Sequence, residues 1–230
     1  FDVIHYHYYA NDGSVLTHKQ ATTGMAPELS YAGTIADSYI KVANQYNLPV
    51  WVTETGYEIN QQSYQKAIPI GNKSALITQA DWILRSCLLY ERHGVKNLFF
   101  YQLFDANPGD GSQYSTSGLN DETKRRPAAD YILQTTKLMG NYGYIKTLSN
   151  DPVVDQYQYG KKLMYVLTIP DQKGRTATYS LDLGANATSA NIYTPAAGAD
   201  VMTKTTGKPV AGKLTVTVTE TPVFVEAVTP

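Results

Sequence analysis

The sequence predicts an α/β domain built on a parallel sheet, followed by a separate all-β module. Between Asp2 and Gly140, strand-like runs alternate with amphipathic helical stretches in the order strand, helix, strand, helix, strand, helix. That order requires parallel strands joined by right-handed crossovers. After Gly140 the texture changes to short Thr-, Val- and Tyr-rich runs separated by Asn-Asp-Pro, Gly-Lys-Lys, Asp-Gln-Lys-Gly and Gly-Lys, with no useful helical period. Such turn spacing is the pattern of a β-sandwich. The expected domains are therefore 1–140 and 141–230.

The first strand is read at residues 2–9, Asp-Val-Ile-His-Tyr-His-Tyr-Tyr, which combine high β propensity with no turn residue. A period of two puts His5, His7 and Tyr9 on one face and Ile4, Tyr6 and Tyr8 on the other. Residues 11–30 carry Gly, Ser, Thr, Asn and Pro without periodicity and read as a long loop. Ile35, Tyr39, Val42, Ala43 and Tyr46 then recur at three- and four-residue spacing, giving a helix with one apolar stripe that Asn47 and Pro49 stop.

The next stretch, Leu48-Pro49-Val50-Trp51-Val52-Thr53-Glu54-Thr55-Gly56-Tyr57, organises the chain. Its apolar run ends in a carboxylate followed by a small residue and a glycine, so Glu54 is expected where a buried strand emerges. A carboxylate there is desolvated on one side and reachable on the other, which suits a nucleophile or proton carrier. On this stretch alone, a helix-start acid just beyond a strand explains the residue equally well.

Leu76, Ala80, Ile83, Leu84, Cys87 and Leu88 mark a second helix that Gly94 terminates, and Trp82 reads as packing within it. Leu98–Leu103 form a third strand, and Asp105–Asn120 a turn-rich loop. Pro127 opens a final helix carrying Ala128, Tyr131, Ile132, Thr135 and Leu138. Beyond Gly140 the clearest strands are 162–169, 176–183 and 213–219, within a sandwich of about six to eight strands.

Composition narrows the function. The chain has 19 basic and 20 acidic residues, so there is no electrostatic case for nucleic acid or an anionic membrane. No run of eighteen apolar residues is present to span a bilayer. The single cysteine, Cys87, excludes an internal disulfide and reads as a buried structural thiol. The four histidines are scattered, and no metal site or cofactor is indicated. Nineteen tyrosines supply rings that stack on and hydrogen-bond to sugars, although many belong to cores.

In this order, the segments resemble the C-terminal half of a retaining clan A glycoside hydrolase, a (β/α)8 barrel with an appended β-sandwich. His7-Tyr8-Tyr9 resembles the His-x-Tyr of the sixth barrel strand. Trp51-Val52-Thr53-Glu54-Thr55-Gly56 is similar to the seventh, which ends in the nucleophile glutamate, and Asn97–Asp105 to the eighth. Ser117–Ala128 looks like the stretch leading into the last barrel helix, and Glu220-Thr-Pro-Val-Phe-Val225 like the last strand of the sandwich. The resemblance implies a partial TIM barrel, strands six to eight with their helices, plus a C-terminal sandwich.

It also implies a glycosidase acting on a β-linked oligo- or polysaccharide, secreted or periplasmic, with Glu54 as nucleophile. His5, His7, Tyr9, Tyr101, Gln102, Phe104 and Asp105 become candidate substrate-binding residues, and the loop 107–114 a further source of hydroxyl contacts. The family commonly carries a tryptophan at the end of the eighth strand, where this chain has Tyr101, Gln102 and Phe104.

The acid/base glutamate belongs to the fourth strand in that clan, and no Asn-Glu motif precedes residue 1. Glu28, Glu58 and Glu91 read as a loop acid, a residue just past the nucleophile and a helix face. Three strands cannot close a barrel. The remaining strands are expected on an N-terminal portion of the same or a separate chain, and this segment alone is expected to be inactive. A second reading is a carbohydrate-binding or scaffolding protein that keeps an inactive partial barrel and binds through Tyr142, Tyr144, Tyr157 and Tyr159.

Overall fold

The computed structural model describes residues 1–14, 19–106 and 112–228. The chain divides into two compact units, Phe1–Ala129 and Asp130–Pro230. The first contains a parallel sheet of β1 (Ile4–His7), β2 (Val50–Thr55) and β3 (Asn97–Phe100), ordered β1-β2-β3. Its crossovers contain α1 (Ala32–Tyr46) and α2 (Ala75–Arg92). The Ser74 side chain caps α2 by accepting from the Ile77 amide at 3.4 Å. After α2, Gly94 takes the left-handed φ of 87° that ends such a helix.

Strand β2 carries an extra residue relative to both neighbours. Val52 pairs with Tyr6 and with Leu98, but the next partners are His7 with Glu54 and Phe100 with Thr55. This is a β-bulge at Thr53–Glu54. Strict alternation would have put Glu54 on the side of Val50 and Val52, which are fully buried. The bulge gives that inward direction to Thr55 and releases Glu54 to the side of His5 and His7. It also ends β1 at His7, two residues short of the expected strand, although the Tyr8 amide still donates to the Glu54 carbonyl at 3.1 Å.

One face of the sheet packs on the helices through Tyr6, Val50, Val52, Leu89, Tyr90 and Val95. Helix α1 corrects the sequence reading. Its buried residues are Ala32, Ala36 and Ala43, whereas Tyr39, Val42 and Tyr46 are exposed. Small alanines let the helix approach the sheet closely, and the larger apolar residues are displaced to the flank. Tyr39 still stacks on Tyr6, with centroids 4.3 Å apart. Helix α2 is buried over most of its surface, Trp82 completely so. Burial and the Glu91 charge push the Cys87 thiol up to about 12, which leaves it unreactive.

Helix α3 (Pro127–Met139) begins in the first unit and continues into the second. Within the second unit, the Gln134 amide donates to the carbonyls of Ala196 and Ala199, and Asp130 accepts from the Gly198 amide. These bonds explain why the division falls a helix earlier than the change of composition at Gly140. The rest of the unit comprises β4 (Gly143–Asn150), β5 (Val153–Tyr159), β6 (Lys162–Thr168), β7 (Ala177–Asp182), β8 (Ser189–Thr194), β9 (Thr203–Gly207), β10 (Lys213–Val218) and β11 (Val223–Val228). They form a six-stranded sheet, β4-β5-β6-β11-β8-β9, and a β10-β7 pair. A common core joins Tyr165, Leu167, Leu181, Leu214, Val216 and Val225, as expected of a sandwich.

Candidate active site

Glu54 leaves the end of β2 with its side chain 37% exposed. The Tyr9 hydroxyl donates to its Oε2 at 3.2 Å, and His7 Nδ1 lies 3.4 Å from the same oxygen. Burial, reinforced by the Glu54 charge, raises the Tyr9 pKa, so the phenol stays protonated and serves as a donor. His5 stands one step back along β1, where its Nδ1 lies 3.0 Å from Thr53 Oγ1. The bulge therefore brings together Glu54, His7 and Tyr9 and places His5 on the hydroxyl just before the carboxylate. Beside them opens a cavity of about 390 Å3 lined by His7, Tyr9, Asn11, Lys19 and Gln65, large enough for a small ligand.

The backbone behind Glu54 is tightly fixed. The Tyr101 amide donates to the Thr55 carbonyl at 2.8 Å. At Gly56 any Cβ would sit 2.6 Å from the Tyr101 oxygen, so only glycine fits. Tyr101 is joined to Gln102 by a cis peptide bond. Further along, Glu58 is fully buried and accepts hydrogen bonds from Ser63 and Thr116. Gln79 Nε2 donates to the Tyr57 carbonyl at 2.7 Å. These groups tie the loop after β2 to α2 and to the loop after β3.

The residues following β3 divide into two groups. Tyr101 packs edge-on against Tyr114, centroids 5.4 Å apart, and Tyr114 lies 5.2 Å from the Tyr9 ring. Tyr101 thereby belongs with Glu54. Asp105 does not. Its carboxylate is buried, paired with Arg126 and accepting from the Gly118 amide, so it holds the loop and has no oxygen to offer a sugar. Gln102 donates to the Tyr114 carbonyl at 3.4 Å, and Phe104 is exposed and bridged to Asn120. Among the described residues, no hydrogen bond or ring contact joins either to Glu54. Of the loop 107–114, residues 107–111 lie outside the described residues.

Two of the other glutamates, Glu28 and Glu58, are engaged elsewhere. Glu28 is gripped by the fully buried Arg85 through bonds of 2.6–3.1 Å, and Glu58 is enclosed. Thr53 and Arg126 were not among the residues the sequence singled out, and Tyr114 entered only as the last residue of the loop 107–114. Arg126 could have been suspected, because a basic residue just before a helix-opening proline has an obvious acid to meet in the preceding turn-rich loop. Nothing in the local sequence distinguishes Tyr114 from the rest of that loop. Among the described residues no group of three or more His, Cys, Asp or Glu side chains could hold a metal, and no helix is long and apolar enough to cross a membrane.

No family model matches the chain, and no curated protein does. Solved structures do. A family 39 glycoside hydrolase from the gut symbiont Bacteroides cellulosilyticus superimposes with a TM-score of 0.67 at 16% identity, covering 99% of this chain and 44% of that one. A family 44 xyloglucanase from Paenibacillus polymyxa gives 0.61 at 12% identity, covering 100% and 47%. The family 30 subfamily 8 xylanase Xyn30A from Clostridium acetobutylicum gives 0.54 at 16%, covering 82% and 45%.

The chain thus shares the fold of the C-terminal half of clan A glycoside hydrolases. It spans less than half the length of these structures.

Proposed function

We propose that the chain is the C-terminal part of a retaining glycoside hydrolase acting on a β-linked oligo- or polysaccharide, with Glu54 as the nucleophile. The observation that carries this reading is the bulged end of β2, which delivers an accessible carboxylate to Tyr9 and His7. In the first step a Glu54 oxygen attacks the anomeric carbon while the bond to the leaving oxygen breaks and a second carboxylic acid protonates that oxygen. In the second, water deprotonated by the same acid releases the sugar from Glu54. The two carboxyl groups must lie about 5–5.5 Å apart for this mechanism.

Tyr9, donating to one Glu54 oxygen, would fix which oxygen attacks. His7 and Tyr101 would meet the sugar, and His5 would hold Thr53 behind it. The acid/base glutamate and the remaining barrel strands would come from an N-terminal portion, on the same or another polypeptide. Two features support that expectation. Among the described residues, both outer strands of the β1-β2-β3 sheet have an unpaired edge, and Phe99 is 48% exposed on the Glu54 side. Such edges and surfaces call for cover. An extracellular or periplasmic location follows from a polymeric substrate.

The test is Glu54→Gln in the complete enzyme. Loss of about a thousandfold or more in kcat, with unchanged circular dichroism, is expected of a missing nucleophile. Glu54→Ala with azide should yield a glycosyl azide of inverted configuration. Near-normal hydrolysis by Glu54→Gln would remove Glu54 from the chemistry.

A further inference from the structure

Tyr114 lies sixty residues from Glu54 in sequence, yet a closed path of contacts joins them. Tyr9 donates to Glu54, the Tyr9 ring meets Tyr114, Tyr114 meets Tyr101, and the Tyr101 amide returns to the carbonyl of Thr55, the residue after Glu54. The backbone at Tyr114 is equally specific. Its φ of 71° is in the left-handed region that a bulky residue seldom occupies. Its carbonyl accepts from Ser117 Oγ at 2.9 Å, from the Ser117 amide at 3.4 Å and from Gln102 Nε2 at 3.4 Å. Those three bonds hold an unfavourable conformation whose outcome is a phenol ring between two others.

The need for such a support is visible in Tyr9. β1 ends at His7, and beyond it the Tyr9 main chain is held by the Asn11 side chain, whose Nδ2 donates to the Tyr9 carbonyl at 2.9 Å. A main-chain bond does not fix the torsions of the ring, and a donor that swings leaves the carboxylate without a defined orientation. We propose that Tyr114 is a positioning residue that buttresses the Tyr9 ring so that its hydroxyl stays on Glu54 Oε2. This deepens the glycosidase reading and rests on it. Tyr114 acts through Tyr9 and need not touch the reacting atoms.

A double-mutant cycle in the complete enzyme tests the inference. Tyr114→Ala should lower kcat by about ten- to a hundredfold, the effect of losing orientation at a reacting group, with KM changed by less than about threefold. Tyr114→Phe, which keeps the ring, should restore nearly normal kcat. The decisive expectation is non-additivity: in a Tyr9→Phe background, Tyr114→Ala should cost almost nothing more. If Tyr114→Ala proves poorly folded, Tyr114→Leu preserves volume without the ring and must show the same dependence on Tyr9.

An undiminished penalty in the Tyr9→Phe background would overturn the proposal. So would an effect confined to KM, which would make Tyr114 a sugar platform, and so would unaltered kcat in Tyr114→Ala. Full activity in Glu54→Gln would instead defeat the reading beneath it, and the two failures are told apart by that single control.

Discussion

The central strands of the second unit bury both of their sides, and the parallel sheet of the first buries one. In β6, Tyr165 and Leu167 join the core shared with β7 and β10, while Met164 and Val166 on the other side are buried as well. In β1 and β2, Tyr6, Val50 and Val52 lie under the helices, but His5 and His7 stay exposed beside Glu54. The parallel sheet packs one face on helices, and Glu54, His5 and His7 stand on the other. If Glu54 is the proposed nucleophile it must be reached and cannot also be packed, so its geometry has to be held from behind.

That division of labour is open to direct attack, beginning with the buried tie behind the sheet. Arg85 on α2 is wholly buried and grips Glu28 bidentately, fixing the turn before α1 against α2. Arg85→Ala leaves Glu28 enclosed without its counter-charge, and breaking such a pair costs about 3–5 kcal/mol. Urea unfolding of the first unit should show it. A loss below about 1 kcal/mol would mean that the back of the sheet is looser than its burial implies.

The same experiment in the other unit should give a comparable but smaller loss. Leu181 on β7 is fully buried in the sandwich core, and Leu181→Ala should cost about 2–4 kcal/mol through lost transfer energy and the cavity left behind. If the sandwich is complete in itself, the transition of the first unit should not move. A joint shift of both transitions would remove the independence on which the contrast stands.

How far the sequence disclosed all this follows the same line. Alternation of strands and helices was legible because it rests on local periodicity, and so were the β-rich runs after Gly140. Glu54 was legible as the end of an apolar run. The bulge that frees it was not, because an extra residue in a ladder is defined only against β1 and β3, remote in sequence. Helix α1 misled for a related reason: Tyr39, Val42 and Tyr46 have the right spacing, but close approach to the sheet selects alanines. Asp105 was read as a sugar contact because its neighbours suggested an open loop, and only the fold brings Arg126 to it. Tyr114 was legible only as the end of a loop that could meet hydroxyl groups, and its place between Tyr9 and Tyr101 depends on the fold that brings the three rings together.

The smallest effect tests the front of the sheet, and its context dependence is what informs. Phe99 on β3 is 48% exposed, touching Trp51 with ring centroids 6.0 Å apart. In the 230-residue chain, Phe99→Ala removes a half-solvated ring and should cost no more than about 1 kcal/mol, since surface substitutions change little. If other strands close over this face in the complete enzyme, the same ring becomes core and its removal should cost about 3 kcal/mol or more. Measuring the substitution in both settings therefore reports whether the open front is a surface or a lining. Equal small losses in the two would leave Phe99 as ordinary surface, and the barrel interior would have to be sought elsewhere.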